Sequence, residues 1–287
     1  MRGVTLNNIK STYDSYQQLI SLYNEKKGLL LETIDISLDQ WFDANLCSAF
    51  GGILDSLQFG LNDINFNYIK PEIKTIIQKN GFLSHYGFEK IIDINRTTVE
   101  YLKLKKSDGR YFQQYVFSEL LNRQELPEMT AELKKKITES IYEMFVNAQT
   151  HSETDFIYTA GQFFPNRHRI EFTITDTGIG FKNCINKRFK SNLSSVQAIK
   201  WAVADGNSTK QGIPGGIGLA ILKEFIVMNH GKFQIVSNDG FYQFDLSGET
   251  TRLFNGSFPG TVINMQFCTD DESSYSLSNE IIPEDLF

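Results

Sequence analysis

The stretch RIEFTITDTGIG, residues 169–180, joins two patterns that together restrict the fold. Its first seven residues alternate apolar and polar side chains, which is typical of a β-strand with one buried face. Asp176 follows the strand directly, and Gly178 and Gly180 would let a ligand approach the backbone closely. On its own, this D-x-G-x-G pattern is more often an ordinary turn.

A helix is predicted to begin near Thr130 and to carry the segment EMFVNAQTH, residues 143–151. Glu143 and Asn147 stand four apart, so they share one face of that helix. An amide oxygen can bind Mg²⁺, and a carboxylate can orient or deprotonate a water molecule. The same polar stripe could instead be an exposed helix edge or, with His151, a metal site.

The third segment is PGGIGLAI, residues 214–221, which contains three glycines and leads directly into a predicted helix. Free backbone N–H groups at a helix start, together with the helix dipole, favour bound anions such as phosphate. The segment matches neither the Walker P-loop nor the Rossmann fingerprint. A simple glycine cap is the alternative.

Taken in order, these segments resemble the GHKL ATPase superfamily, which includes the ATP-binding domains of gyrase, heat-shock chaperones, mismatch-repair proteins and histidine kinases. A fourth segment, FPGTVINMQF at 258–267, is similar to the closing strand of that fold. The resemblance covers about 130–268. It implies an α+β protein with a C-terminal α/β sandwich of GHKL (Bergerat) type, whose mixed sheet carries helices on one face.

The resemblance also implies roles for individual residues, with ATP and Mg²⁺ as cofactors. Asp176 would accept a hydrogen bond from the adenine amino group, and Thr261 would assist through water. Asn147 would bind Mg²⁺, and Glu143 would be the catalytic general base. The other implied nucleotide contacts are Gly178, Gly180, Gly215, Gly216 and Gly218, with Ser208, Thr209 and Lys210 from an ATP lid at 181–214. Glu139 is expected to be solvated, and His151 to lie near the rim of the pocket.

Strands and helices also alternate in the N-terminal part of the chain. The patterns predict strands at 28–37, 63–69 and 89–95, with helices at 43–60 and 71–82. Such alternation within a short length indicates a small α/β unit.

This N-terminal unit resembles a STAS domain, through the segment WFDANLCSAFGGIL at 41–54. Phosphorylatable relatives have an Asp-Ser-Ser-Gly-like sequence that supplies an acceptor serine at a helix start. Here Asp43 is followed by Ala44 and Asn45, so the acceptor hydroxyl is missing. An unrelated small docking domain is the alternative.

The predicted organisation has five parts. They are an N-terminal helix at 1–27, the STAS-like domain at 28–100, a connecting helical region at 101–129, the GHKL domain at 130–268 and an acidic, flexible tail at 269–287.

Composition excludes several classes of function. The net charge of −6 and the short Lys/Arg runs disfavour a nucleic-acid partner. The three cysteines form no C-x-x-C pattern, which indicates reduced thiols and a cytoplasmic location. No apolar run reaches the roughly 18 residues of a membrane span, so no membrane partner is expected.

These features predict a regulatory protein that couples Mg-ATP binding and slow hydrolysis to an interaction with an unidentified protein. Glu143 favours hydrolysis, because a site that only binds nucleotide needs no base. The alternatives are a serine/threonine kinase of anti-sigma-factor type acting on a separate STAS partner, and a non-catalytic ATP-binding module. Histidine autophosphorylation is disfavoured, since His85 lies in a loop-like segment rather than in an H-box helix. Homodimers are common among GHKL relatives, so a homodimer is one expected assembly.

Overall fold

The computed structural model describes residues 3–204, 217–277 and 280, with backbone alone for 151 and 217–220. Within these residues the α-helices are α1 (Tyr13–Lys26), α2 (Cys47–Gln58), α3 (Pro71–Lys79), α4 (Gly109–Tyr115), α5 (Ala131–His151), α6 (Gly180–Phe189), α7 (Ser195–Val203) and α8 (Ile217–Met228). The strands are β1 (Val4–Leu6), β2 (Thr33–Leu38), β3 (Asp63–Ile69), β4 (Thr98–Lys105), β5 (Glu128–Met129), β6 (Phe156–Phe164), β7 (Arg169–Asp176), β8 (Lys232–Ser237), β9 (Gly240–Asp245), β10 (Gly248–Leu253), β11 (Thr261–Cys268) and β12 (Ser274–Tyr275). A π-helix at Val116–Leu121 continues α4, and short 3-10 helices occupy Ala44–Leu46, Phe82–Tyr86, Lys106–Asp108 and Pro165–Arg167.

The largest sheet has the strand order β10-β9-β8-β11-β7-β6-β4, and its neighbouring strands pair antiparallel. Parallel pairing occurs in the three-stranded sheet β1-β2-β3 and in the short pair of β12 with β5. This combination of separate sheets and helices confirms the predicted α+β class.

Side chains that alternate along the strands build a separate core on each face of the seven-stranded sheet. On β6, Ile157 belongs to one core and Tyr158 to the other. Helices α5, α7 and α8 cover the first face, here called the front face. Helix α2 covers the second, or back, face together with the rest of residues 3–97, here called the N-terminal unit. Helices on one face were expected for 130–268, to which α5, α7 and α8 belong, and the back face is covered by a part of the chain outside that range.

The strand predicted at 89–95 is absent from the structure, which has an irregular segment there. Its alternating isoleucines are in fact exposed, Ile92 by 84% and Ile94 by 85%. The Asp93 carboxylate accepts hydrogen bonds from the Thr98 N–H at 2.7 Å and the Thr98 hydroxyl at 2.8 Å. A side chain that bonds to the backbone nearby stabilises a turn in place of a strand ladder.

The strand that does form, β4, is the edge of the seven-stranded sheet and crosses the boundary expected at residue 100. The region 101–129, expected to be helical, therefore begins inside this sheet. At the other end of the chain, the tail expected to be flexible forms β12. Glu280 also accepts a hydrogen bond from Thr130, the N-cap of α5, at 2.7 Å.

Helix α1 begins at residue 13, later than its sequence pattern indicates. The residues before it form hydrogen bonds outside the helix. The Ser15 hydroxyl accepts a hydrogen bond from the Lys10 N–H at 2.9 Å, and β1 pairs with β2. Across the described ranges 3–204, 217–277 and 280, none of the helices has both the length and the apolar character required to cross a bilayer.

Candidate functional site

Asp176 is the last residue of β7, and its side chain is almost completely buried. Its carboxylate accepts a hydrogen bond from the Gly178 N–H at 2.9 Å, and Thr261 of β11 lies opposite it in register. Burial raises the pKa of Asp176 to about 7, and the N–H groups of Gly178 and Thr261 offset part of that rise. The ionised form of a carboxyl group in this position would be stabilised by an additional hydrogen-bond donor.

The turn after β7, residues 176–180, is here called the Asp176 loop, and it packs against the C-terminal end of α5. The Ile179 N–H donates to the Ser152 carbonyl oxygen at 2.7 Å. A Cβ atom at Gly178 would overlap that same carbonyl oxygen. Glycine at 178 is therefore required by the close approach of the loop to the helix end.

The far side of the Asp176 loop is held by the turn after β8. Gly180 adopts a φ of +73°, and a Cβ atom there would lie 2.5 Å from the Asn238 Oδ1 atom. The Asn238 amide donates to the Ile179 carbonyl oxygen at 3.0 Å and accepts from the Lys182 N–H at 3.3 Å. Asn238 thus fixes the start of α6.

Several of these contacts were not found by sequence reasoning. Ser237 and Thr261 share a hydrogen bond at 3.0 Å between their hydroxyls, and the Ser237 oxygen also accepts from the Phe181 N–H at 2.9 Å. The polar run SNDG at 237–240, directly after an apolar strand, is the available signal for Ser237 and Asn238. No comparable signal marks Ser152, which contributes a backbone carbonyl.

The polar stripe of α5 divides into two environments. Glu139 forms an ion pair with Lys136 at 3.0 Å, so it lies in an ordinary surface contact. Glu143 and Asn147 are half-buried, and among the described residues neither side chain has a hydrogen-bond or ion-pair partner. The His151 side chain lies outside the described residues.

Apolar side chains fix the orientation of α5. Phe145, which lies between Glu143 and Asn147 in sequence, is fully buried and stacks on Phe112 with ring centroids 4.8 Å apart. Since α5 is anchored by its apolar side, Glu143 and Asn147 are held together on another face.

The residues present fit a nucleotide-bound Mg²⁺ ion. Within the described part of the chain, no group of three or more His, Cys, Asp or Glu side chains could hold a metal alone. Mg²⁺ that is bound with phosphates commonly uses only one or two protein oxygens and keeps several waters. The unpartnered amide of Asn147 can supply one such oxygen.

The third segment of the predicted site is described only in part. Gly218 is the second residue of α8, which packs beside α5 on the front face. Of the predicted lid at 181–214, residues 181–204 contain most of α6 and all of α7. The predicted contacts outside the described residues are Ser208, Thr209, Lys210, Gly215 and Gly216.

Ala44 and Asn45, the two residues that follow Asp43, are fully buried in the contact between the N-terminal unit and the sheet. The Asn45 amide nitrogen lies 2.9 Å from Thr173 Oγ1, 3.0 Å from Ser11 Oγ, 3.1 Å from Asn264 Oδ1 and 3.4 Å from Glu171 Oε2. These five residues are here called the buried polar cluster. Asn45 therefore joins α2 to β7 and β11.

Asp43 lies beside this cluster and is also fully buried. Its pKa is raised to about 6, first by burial and then by the negative charge of Glu171. The Trp41 indole N–H donates to Asp43 Oδ1 at 2.5 Å and opposes that rise. The hydroxyls of the buried polar cluster, Ser11 and Thr173, are buried and so are not accessible for phosphorylation.

A scan against models of protein families and a search of curated proteins both find no match to this chain. Function is therefore inferred from the side chains and the backbone of this chain itself.

Proposed function

We propose that this protein binds ATP with Mg²⁺ at a GHKL-type site and uses that binding to regulate an interaction with another protein. The observation that carries the proposal is the buried carboxyl of Asp176. Within the described part of the chain it accepts from backbone N–H groups, and no lysine or arginine pairs with it. An adenine amino group would supply the further donor that a buried carboxylate needs.

The surroundings of Asp176 support the same proposal. Because Gly178 and Gly180 lack side chains, the Asp176 loop packs directly against Ser152 and Asn238, which holds the Asp176 carboxylate in a fixed position. In this arrangement the phosphates would extend toward Asn147 and the start of α8, where the helix dipole favours negative charge. Mg²⁺, held by Asn147, would neutralise the phosphates.

Mg-ATP is expected to raise the melting temperature of the protein, because a ligand that binds only the folded state stabilises it. At a free concentration near 100 times Kd the gain is about 2.7 kcal/mol. Thermal scanning with millimolar Mg-ATP measures the shift. Mg-GTP is the matched control, since it presents a carbonyl oxygen where adenine has its amino group. Equal shifts with both nucleotides, or none with either, would exclude adenine recognition by Asp176.

Glu143→Ala is expected to retain ATP binding and to lose hydrolysis. Removing a general base typically costs about 10²- to 10⁴-fold in rate. The half-buried, unpartnered state of Glu143 is the observation that favours this role. Release of free phosphate from γ-labelled ATP measures turnover.

Glu139→Ala is the matched control, because Glu139 lies one helical turn away and pairs with Lys136. Equal phosphate release by Glu143→Ala and wild type would remove Glu143 from the mechanism. Label transferred to a protein in cell extract would favour the kinase alternative, and retention of all label on ATP would favour a binding module.

A further inference from the structure

Helix α2 of the N-terminal unit is in direct contact with the Asp176 loop through Gly52. A Cβ atom at Gly52 would lie 2.9 Å from the Thr177 Cγ2 atom and 3.4 Å from two ring carbons of Tyr158. A carbon–carbon distance of 2.9 Å is well inside van der Waals contact. The α2 backbone therefore approaches Thr177 as closely as a glycine permits.

A second set of contacts fixes where α2 lies. Tyr158 of β6 donates its hydroxyl to Asp55 Oδ2 at 2.7 Å, and Lys103 of β4 forms an ion pair with the same carboxylate. Tyr158 is fully buried, and Asp55 lies one turn beyond Gly52 on α2. These bonds tie α2 to two strands of the seven-stranded sheet, next to the Asp176 loop.

Thr177 is the residue that would transmit a movement of α2. It stands between Asp176 and Gly178, whose N–H donates to the Asp176 carboxylate. Its own hydroxyl lies 3.2 Å from the Thr154 hydroxyl, and its N–H donates to that same oxygen at 3.4 Å. A displacement of Thr177 would therefore change the geometry around the carboxylate.

Resting on the nucleotide function proposed above, we infer that Gly52 positions Thr177, so that the placement of α2 sets the affinity of the site for ATP. Gly52 and Asp55 act as positioning residues and do not touch the nucleotide. A partner that shifts the N-terminal unit would change nucleotide affinity. Because coupling between two sites is reciprocal, bound nucleotide would in turn change the free energy with which α2 packs on the sheet.

The test is a double-mutant cycle at positions 52 and 177. Gly52→Ala adds a methyl group against Thr177, and we expect it to weaken Mg-ATP binding about tenfold, a change that calorimetry resolves. Alanine is the better helix former, so intrinsic helix propensity does not oppose this substitution. Thr177→Ser removes the opposing methyl group, and the double variant is expected to return to within about threefold of wild type.

Gly28→Ala is the matched control, because a Cβ atom there would meet nothing within 4 Å. If wild type binds Mg-ATP and Gly52→Ala binds it equally well, the positioning role is wrong while the nucleotide function stands. If Gly52→Ala is weak but Thr177→Ser does not rescue it, transmission through Thr177 is wrong. If wild type does not bind, both proposals are overturned.

A second measurement needs only wild-type protein and so does not depend on the folding of any variant. Hydrogen exchange of the α2 amides, residues 47–58, is expected to slow several-fold when Mg-ATP is added, because coupling between two sites is reciprocal. Unchanged exchange in α2 at saturating nucleotide would contradict the inference.

Discussion

Asp176→Asn is expected to weaken adenine-nucleotide binding about 10- to 150-fold, since each tenfold is worth about 1.4 kcal/mol and hydrogen bonds to charged groups contribute roughly 1.5–3 kcal/mol. The substitution retains the shape of the side chain and an oxygen that can accept from the Gly178 N–H. It replaces the other carboxylate oxygen with an amide that donates, which opposes the adenine amino group. Titration calorimetry with Mg-ATP measures the loss, and wild-type affinity in the variant would contradict the role of Asp176.

The same substitution is expected to stabilise the protein at about pH 8, and the sign follows from proton linkage. The folded-state pKa of Asp176, about 7, lies above its ordinary value of 3.8, so the folded state binds the proton more tightly. The unfolding free energy therefore falls as pH rises from about 4 to about 7, and stays level above that range. The burial cost of the ionised carboxylate is then fully present.

Asparagine does not titrate, so Asp176→Asn lacks this loss and is expected to gain up to about 4 kcal/mol over wild type at alkaline pH. Urea unfolding across the pH range measures both curves. Asp43, whose pKa is also raised, is present in both proteins and cancels in their difference. Parallel pH curves would show that Asp176 has an ordinary pKa.

Asn45→Ala is expected to lower the unfolding free energy by about 3 kcal/mol or more, because buried acceptors lose their donor and a cavity is left. Asn45 is completely buried and bonds to residues of both the N-terminal unit and the sheet. Urea unfolding measures the change. A loss below about 0.5 kcal/mol would show that the buried polar cluster contributes little to stability.

Two further variants separate packing from charge. Asn65→Ala is the matched control: Asn65 lies on the surface of β3 and its hydrogen bonds are exposed, so the expected change is within about 0.5 kcal/mol. Asn45→Asp retains the shape but adds a third buried carboxyl beside Glu171 and Asp43. Its destabilisation is expected to grow as pH rises, because ionisation would then bury like charges together.

Local sequence patterns correctly predicted several helices and strands whose limits depend on neighbouring residues. The alternation in 63–69 corresponds to β3 at both ends, and Pro71 marks the first residue of α3 as expected. The alternation in 169–175 likewise marks β7. The strand predicted at 89–95 does not form because the Asp93 side chain accepts a hydrogen bond from the Thr98 N–H and stabilises a turn. Hydrophobic periodicity carries no information about such a hydrogen bond.

The site was predictable as separate segments, while the contacts between them were not. Asp176 and Thr261 lie opposite one another, and Glu143 and Asn147 share a face of α5. Three residues from distant parts of the chain contact the Asp176 loop. Ser152 contributes its carbonyl oxygen, Asn238 contributes its side-chain amide from the turn after β8, and Gly52 lets α2 approach Thr177 closely. Such contacts arise only when the chain is folded, and the assignment of the site to ATP stays a prediction.

The two covered faces of the seven-stranded sheet limit how this protein can evolve. A chain that lost residues 3–97 would expose back-face side chains such as Tyr158, Val236 and Phe241 to water. Recombination near residue 130 would in addition separate β4 from the sheet whose edge it forms. The two halves are therefore expected to be inherited as one genetic unit. Substitutions at contacts such as Tyr13 with Phe241, whose rings lie 5.6 Å apart, should be accepted mainly in pairs.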